Sequence, residues 1–267
     1  MSDLLKIVRG DLPLVIAVPH AGTDIPAEIE KQFVSPWLAR KDADWWIDRL
    51  YGFAIAMGAT MVRTRISRGV IDVNRDPSGA SLYPGRATTE LCPTTTFAGE
   101  TLYRGATPDS EEIARRRARY FDPYHAALKG ELDRLHAQHG KVVLYDAHSI
   151  VSHSPRLFDG ALPQYNIGTN GGVTCAPALE NAVLAAAKAT GRSHVLNGRF
   201  RGGWTTRRYG CPAEGCHAVQ MELAMRGYVT EPARLTPDNW PPAFDPATPL
   251  IPELKTIIAA CFAFVRA

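Results

Sequence analysis

Short apolar runs alternate with segments of helical length along this chain, and that alternation restricts its fold more than any other feature. Residues 13–18, 60–64 (TMVRT), 141–146 and 217–223 (HAVQMEL), with a short run at His194–Leu196, read as strands. Residues 43–57 show helical spacing, with Trp46, Leu50 and Ala54 four apart. Another helix starts at 109, capped by Asp109 or Ser110, with Glu111 and Glu112 in its first turn. Pro123 predicts a kink or break in it. A second helical stretch then runs to about 138, with Leu128, Leu132 and Leu135 on one face, and Gly140 ends it. APALENAVLAAAKA and residues 253–265 complete the helices, the last preceded by a Pro-rich stretch over 241–252. Residues 65–108, the stretch from 147 to about 175, and 197–215 read as irregular, the last for its five glycines and one proline. Strands separated by helices imply an α/β fold with a mixed, mainly parallel sheet covered on both faces. With 45% hydrophobic content in 267 residues, the chain can bury one full core, and residues 1–267 read as a single domain.

The formal net charge of +3 argues for no nucleic-acid partner. The local run Arg115, Arg116, Arg117 and Arg119 reads as a solvated helix face. Five cysteines are scattered without a CxxC pair and read as reduced thiols. The N-terminus lacks a secretory pattern, and no apolar run is long enough to span a bilayer. The expectation is a cytoplasmic protein with no membrane partner. A homo-oligomer is compatible with the sequence.

Two of the apolar runs stop on a histidine. LPLVIAVPHAG ends at His20, and KVVLYDAHSI turns polar at Asp146 and His148. Ligands in parallel α/β sheets gather at the carboxyl ends of the strands, which brings His20 and His148 together. Two histidines with a carboxylate from a nearby loop make a metal site with an open position. Asp44 is the first choice for that carboxylate and Asp42 the alternative, although an Asp there more commonly caps a helix. Asp146, two residues before His148, lies on the same side of an extended chain and can orient it. Glu222 ends an otherwise apolar strand. Val219, Met221 and Leu223 alternate to one face, Gln220 and Glu222 to the other. A buried carboxyl there is costly unless it is paired or functional, so Glu222 is the candidate general base. Arg68, Asn74 and Arg75, and Arg199, Arg201, Arg207 and Arg208, sit on two glycine-containing segments and point to a small anionic substrate. A serine nucleophile is disfavoured because no Gly-x-Ser-x-Gly elbow is present, and no Walker A loop occurs.

The segments VPHAGTDIP, DADWWIDRLYGFA, SRGVIDVNRDPSGASLYPG, LCPTTTFAGETLYR, YDAHSI, NIGTNGG, LNGRFRGGWTTRRYG and AVQMELA together resemble the N-formylglutamate amidohydrolase family. The resemblance runs from about residue 13 to 230. That family is related to zinc carboxypeptidases and to the succinylglutamate desuccinylase and aspartoacylase group, which implies a phosphorylase/hydrolase-like fold and one zinc ion per chain. It implies zinc on His20 and His148, Glu222 as general base, and substrate binding and carbonyl polarisation by Arg68, Asn74 and Arg75. Asn170, in NIGTNGG, joins the implied substrate-binding set. The relatives' Glu ligand three residues after the first His is Thr23 here, so Asp44 takes that place. Family members often carry His at the position of Trp46 and Thr at that of Ala43. These departures leave another N-acyl amino acid as the alternative substrate. The implied reaction hydrolyses N-formyl-L-glutamate to formate and L-glutamate in histidine degradation, with Arg201 or Arg207 on one carboxylate. A metal-free binding protein for acidic metabolites is the remaining rival.

Overall fold

The computed structural model of the chain describes residues 4–267. Its strands are β1 (Leu5–Val8), β2 (Leu14–Val18), β3 (Thr60–Thr64), β4 (Val142–Ile150), β5 (Tyr165–Gly168), β6 (His194–Leu196) and β7 (Cys216–Ala224). They form one sheet in the order β1-β3-β2-β4-β7-β5-β6. The central strands β3, β2, β4 and β7 run parallel, as do β5 and β6. Antiparallel pairings join β1 to β3 and β5 to β7. This is the mixed, mainly parallel sheet that the strand–helix alternation predicts.

The longer helices are α1 (Ser110–Arg116), α2 (Asp122–His139), α3 (Pro177–Ala189), α4 (Trp204–Tyr209) and α5 (Leu250–Arg266). Every residue of β2 is buried because both faces of the sheet are covered. On one face α3 and α5 bring Leu179, Val183, Leu254 and Ile257 against Ile16, Val143, Tyr145, Val219 and Met221. On the other, Leu128, Leu132 and Leu135 of α2 meet Val15, Ala17, Val62, Leu144 and Ala218. Burying each such leucine contributes about 1.5–3 kcal/mol.

Several local expectations change. The 43–57 segment is not one helix. Trp46 takes the left-handed conformation (φ 66°), and only the short turns Ile47–Leu50 and Phe53–Ala56 are helical. Pro123 does not end its helix. The ladder widens to a π-helical turn over Arg117–Phe121, and Pro123 then sits in the first turn of α2, where its missing N–H costs least. Asp109 is the cap, accepting the Glu112 N–H at 2.8 Å. The arginine run is not simply a solvated face: Arg116 is buried, donating to the Val70 carbonyl and the Tyr103 hydroxyl. α4 lies inside the stretch read as irregular, starting just after Gly202 and Gly203. β1 and β5 escape sequence reading because both are short and are held by antiparallel neighbours. α5 begins at Leu250, with Pro252 in its first turn. β4 runs four residues past 146, because pairing with β7 continues to Ile150 after the pairing with β2 has stopped at Asp146.

His125 ties α2 to the segments over the sheet's end. Its Nε2 donates to the Val73 carbonyl at 2.7 Å, and its Nδ1 lies 3.0 Å from the Tyr209 hydroxyl. Burial pushes its pKa down to about 4, against the opposing pull of the Val73 hydrogen bond. A folded pKa below the ordinary value near 6.5 adds stability that is complete above pH 6.5 and is lost as pH falls through about 4. The loss is expected to be about 3 kcal/mol. Urea unfolding at pH 7 and pH 4 checks it, since His125→Gln should lose less between the two pH values than the wild type by about that amount.

Candidate metal centre and active-site cleft

β2 and β4 are neighbours at the point where the winding of the sheet reverses, since β3 lies on the other side of β2. His20 follows β2 by two residues, and its carbonyl accepts the Asp44 N–H at 3.0 Å, which fixes Asp44 beside it. His148 lies within β4 on the same side. The ligand atoms of His20, Asp44 and His148 all lie within 4.8 Å of one another, and all three residues are buried. One carboxylate oxygen, Asp44 Oδ2, lies 3.1 Å from His148 Nδ1 and 3.6 Å from His20 Nδ1.

His20 Nε2 lies 2.7 Å from Asp72 Oδ1, which leaves Nδ1 as the ring nitrogen turned toward Asp44. That Nδ1 is buried and has no hydrogen-bond partner. A buried ring nitrogen without a partner, turned toward a carboxylate, is costly unless a proton or a metal cation lies between them. The surrounding charge fits the same cation. Asp44, Asp72 and Asp146 are buried, and Arg68 bridges the first two, donating to Asp44 Oδ1 at 3.2 Å and Asp72 Oδ2 at 2.7 Å. Burial raises the Asp44 carboxyl, but the neighbouring His20 and His148 imidazoles outweigh it and hold the carboxyl well below its usual range. Burial is likewise outweighed at Asp72 by Arg75, His20 and Arg68. At His148 burial lowers the pKa, and Asp146 and Asp44 more than reverse it. Two imidazole nitrogens and a carboxylate oxygen are a donor set that suits zinc.

Above the triad opens a cleft. His20, His148, Glu222, Arg68, Asn74, Arg75 and Arg199 line it, with Phe97, Ile150, Leu157 and Phe200 as an apolar wall. His148 and Glu222 are register partners on β4 and β7, so both side chains leave the same face, with the strands about 4.8 Å apart. Burial pushes the Glu222 carboxyl up to about 8, with His148 pulling against it and Asp44 adding to it. Among the described residues no salt bridge reaches Glu222. Its neighbour is Gln220, whose amide nitrogen lies 3.4 Å from Oε2.

The sequence profile described as N-formylglutamate amidohydrolase matches residues 12–229. The chain belongs to the N-formylglutamate amidohydrolase family. Two curated relatives bear the name N-formylglutamate deformylase. The Pseudomonas putida protein is 45% identical over 99% of this chain and 97% of its own length. The Pseudomonas aeruginosa protein is 48% identical over 87% of this chain and 88% of its own. A crystal structure titled N-formylglutamate amidohydrolase, from Ralstonia eutropha, shares the fold with a TM-score of 0.78 at 24% identity, covering 99% of both chains. A gene product of Agrobacterium tumefaciens has a TM-score of 0.70 at 19% identity, covering 99% of this chain and 96% of its own.

Within this family member, the structure brings His20, Asp44, His148, Glu222, Arg68, Asn74 and Arg75 to one site. Asp42, the alternative carboxylate, faces elsewhere and accepts the Phe97 N–H at 2.6 Å. Asn170, Arg201 and Arg207 do not line the cleft. Asn170 donates its N–H to the Arg201 carbonyl, and Arg207 donates to the carbonyls of Gly202 and Leu82. Trp46 does not line the cleft either, and its indole N–H donates to the Pro242 carbonyl at 2.8 Å. Sequence reading passed over Asp72, whose signal was its place two residues before Asn74 in VIDVN. It named Arg199 only as one of several arginines. Asp146 Oδ1 lies 3.1 Å from His148 Nε2, and Asn74 Nδ2 lies 2.9 Å from the same nitrogen. Because Asp72 orients His20, Asp72→Asn should weaken metal binding about 10–100-fold, read by competition with a coloured chelator. Unchanged affinity would remove Asp72 from that role.

Proposed function

We propose that this chain hydrolyses the formyl amide of N-formyl-L-glutamate to formate and L-glutamate, using one zinc ion held by His20, Asp44 and His148. The observation that carries the reading is the buried, unpartnered His20 Nδ1, set against Asp44 and His148 at the floor of a cleft bearing Glu222 and several arginines. The activity named for the two curated relatives supports the substrate.

When bound, a divalent cation polarises the amide carbonyl, acidifies water and favours the charged form of Glu222. Glu222 takes the proton of the attacking water and returns it to the leaving nitrogen. Asp72 holds the His20 imidazole, Asp146 sets its charge beside the His148 ring, and Arg68 holds Asp44 and Asp72 in place. Arg75, fixed by the Thr89 carbonyl and hydroxyl, presents its guanidinium to the developing oxyanion. Arg199 is half-buried, held by the carbonyls of Leu157 and Ala87. Burial, opposed by Tyr83 and joined by Arg86 and Arg75, pushes its pKa down, so an anion bound there is favoured. We assign it a substrate carboxylate. Arg199→Ala should raise KM about 10–100-fold with kcat little changed. Arg201→Ala and Arg207→Ala, measured beside it, decide which arginine carries the contact.

Five free thiols fit a cytoplasmic enzyme of histidine degradation. Among the described residues no helix is long and apolar enough to cross a membrane. The apolar wall of Phe97, Ile150, Leu157 and Phe200 favours a second reading, a different N-acyl amino acid as substrate. Elemental analysis of protein purified without a chelating tag, with a formate assay on the same sample, tests the proposal. Stoichiometric zinc with formate release lost on chelation supports it. Zinc without formate release moves the activity to another acyl group, and no metal with no activity after zinc addition overturns it.

A further inference from the structure

Cys211 and Cys216 flank the CPAEGC turn that joins α4 to β7, and nothing in the cleft uses them. Their backbones form an isolated antiparallel bridge. The Cys211 N–H donates to the Cys216 carbonyl at 2.8 Å, and the Cys216 N–H to the Cys211 carbonyl at 3.2 Å. Opposed residues in such a pair project to the same side with Cα atoms about 5.5 Å apart. That separation falls inside the roughly 4.4–6.8 Å range of disulfides. The turn holds this register by itself. Pro212–Glu214 form one 3₁₀ turn, and Gly215 takes φ 76°, where a Cβ would also come within 2.5 Å of the Gly140 carbonyl oxygen. Both cysteines are partly exposed, whereas Cys92, Cys175 and Cys261 are buried. Among the described residues the one three-ligand metal grouping is His20, Asp44 and His148, so the pair does not belong to a second metal site of that kind.

We propose that Cys211 and Cys216 are a modification site that closes as a reversible intramolecular disulfide by exchange with a small-molecule disulfide such as oxidised glutathione. Cys211 thiolate attacks one sulfur of the small disulfide, whose S–S bond breaks and releases one thiol. Cys216 then loses its proton and attacks the Cys211 sulfur, releasing the second thiol. Two protein thiols are oxidised and one small disulfide is reduced to two thiols, so electrons and protons balance. Burial, with Asp133 and Cys211 beside it, pushes the Cys216 thiol up. The new bond fastens the end of α4 to the start of β7. α4 and the residue before it carry contacts that support the cleft: Gly203 N–H to Gln220, Thr205 N–H to Asn74 and the Thr206 hydroxyl to Asp146. Closure therefore stiffens the support of the site without touching a residue that lines it.

Incubating the whole enzyme with oxidised glutathione, followed by intact mass, thiol titration and peptide mapping, tests this. The expected result is a mass lower by two hydrogens, a fall from five titratable thiols to the three buried ones under denaturing conditions, and a 211–216 cross-link. The unfolding midpoint should rise by roughly 5 °C and return on reduction. Cys216→Ser should instead trap glutathione on Cys211. A stable glutathione adduct on the wild type without ring closure, a cross-link to a different cysteine, or five thiols remaining would overturn the proposal. An unchanged midpoint in the cross-linked protein would overturn the stiffening.

Discussion

On the proposed mechanism Glu222→Gln lowers kcat about 10²–10⁴-fold and leaves the metal content unchanged, because the substitution keeps the shape and removes only the proposed proton acceptor. The site is arranged for that outcome. Glu222 is buried, is free of salt bridges among the described residues, and faces the cleft beside His148. No ion pair is broken by the change, and the carboxyl is already pushed toward its neutral form by burial. Stability should therefore stay within about 1 kcal/mol of the wild type. Elemental analysis, urea unfolding and single-turnover kinetics on one preparation separate the possibilities. A near-normal rate takes the proton-transfer role away from Glu222. Loss of metal together with rate makes it a ligand or a support instead.

Asp44→Asn acts on the other half of the chemistry. Asp44 is the carboxylate shared by both imidazoles, and its other oxygen accepts from Arg68. The amide keeps the volume but loses the charge, so bound metal should fall to a small fraction of one per chain and formate release with it. The metal-free variant should also be less stable. Asp44 is held well below its usual range, so it contributes stability above the unfolded value of 3.8 that is lost as pH falls below it. Removing its charge leaves the buried Arg68 with Asp72 as its remaining carboxylate contact, a change worth about 1.5–3 kcal/mol. Asp42→Asn is the control, since Asp42 faces Phe97 and should keep its metal. Full metal content in Asp44→Asn would overturn the ligand set.

The strands that carry the site were legible because their alternation survives in the residue order. Val219, Met221 and Leu223 pack inward in β7, while Gln220 and Glu222 face the cleft, as the pattern requires. The placing of His20 and His148 together followed from the rule about strand ends. What stayed hidden lies in the irregular segments, whose paths depend on long-range hydrogen bonds with no local signature. Asp72 is fixed by its N–H to the Leu91 carbonyl, and Arg199 by the carbonyls of Leu157 and Ala87. Neither distance in space can be read from distance in sequence. The left-handed Trp46 is hidden for another reason: a bulky side chain in that conformation is rare, and helical spacing gave no warning of it.

The register of β4 against β7 has a consequence for how this enzyme can vary. A slip of β7 by one residue would turn Glu222 into the hydrophobic layer and present Met221 or Leu223 to the substrate. On the proposed mechanism, proton transfer thus depends on residues that do not line the cleft, the apolar side chains beneath the sheet that lock the two strands against sliding. Loops around the mouth are free to drift and retune which acyl group fits, while the reacting groups keep their spacing. Repacking beneath the sheet should silence turnover before it melts the fold, which makes catalytic rate a sensitive gauge of strand alignment in this chain.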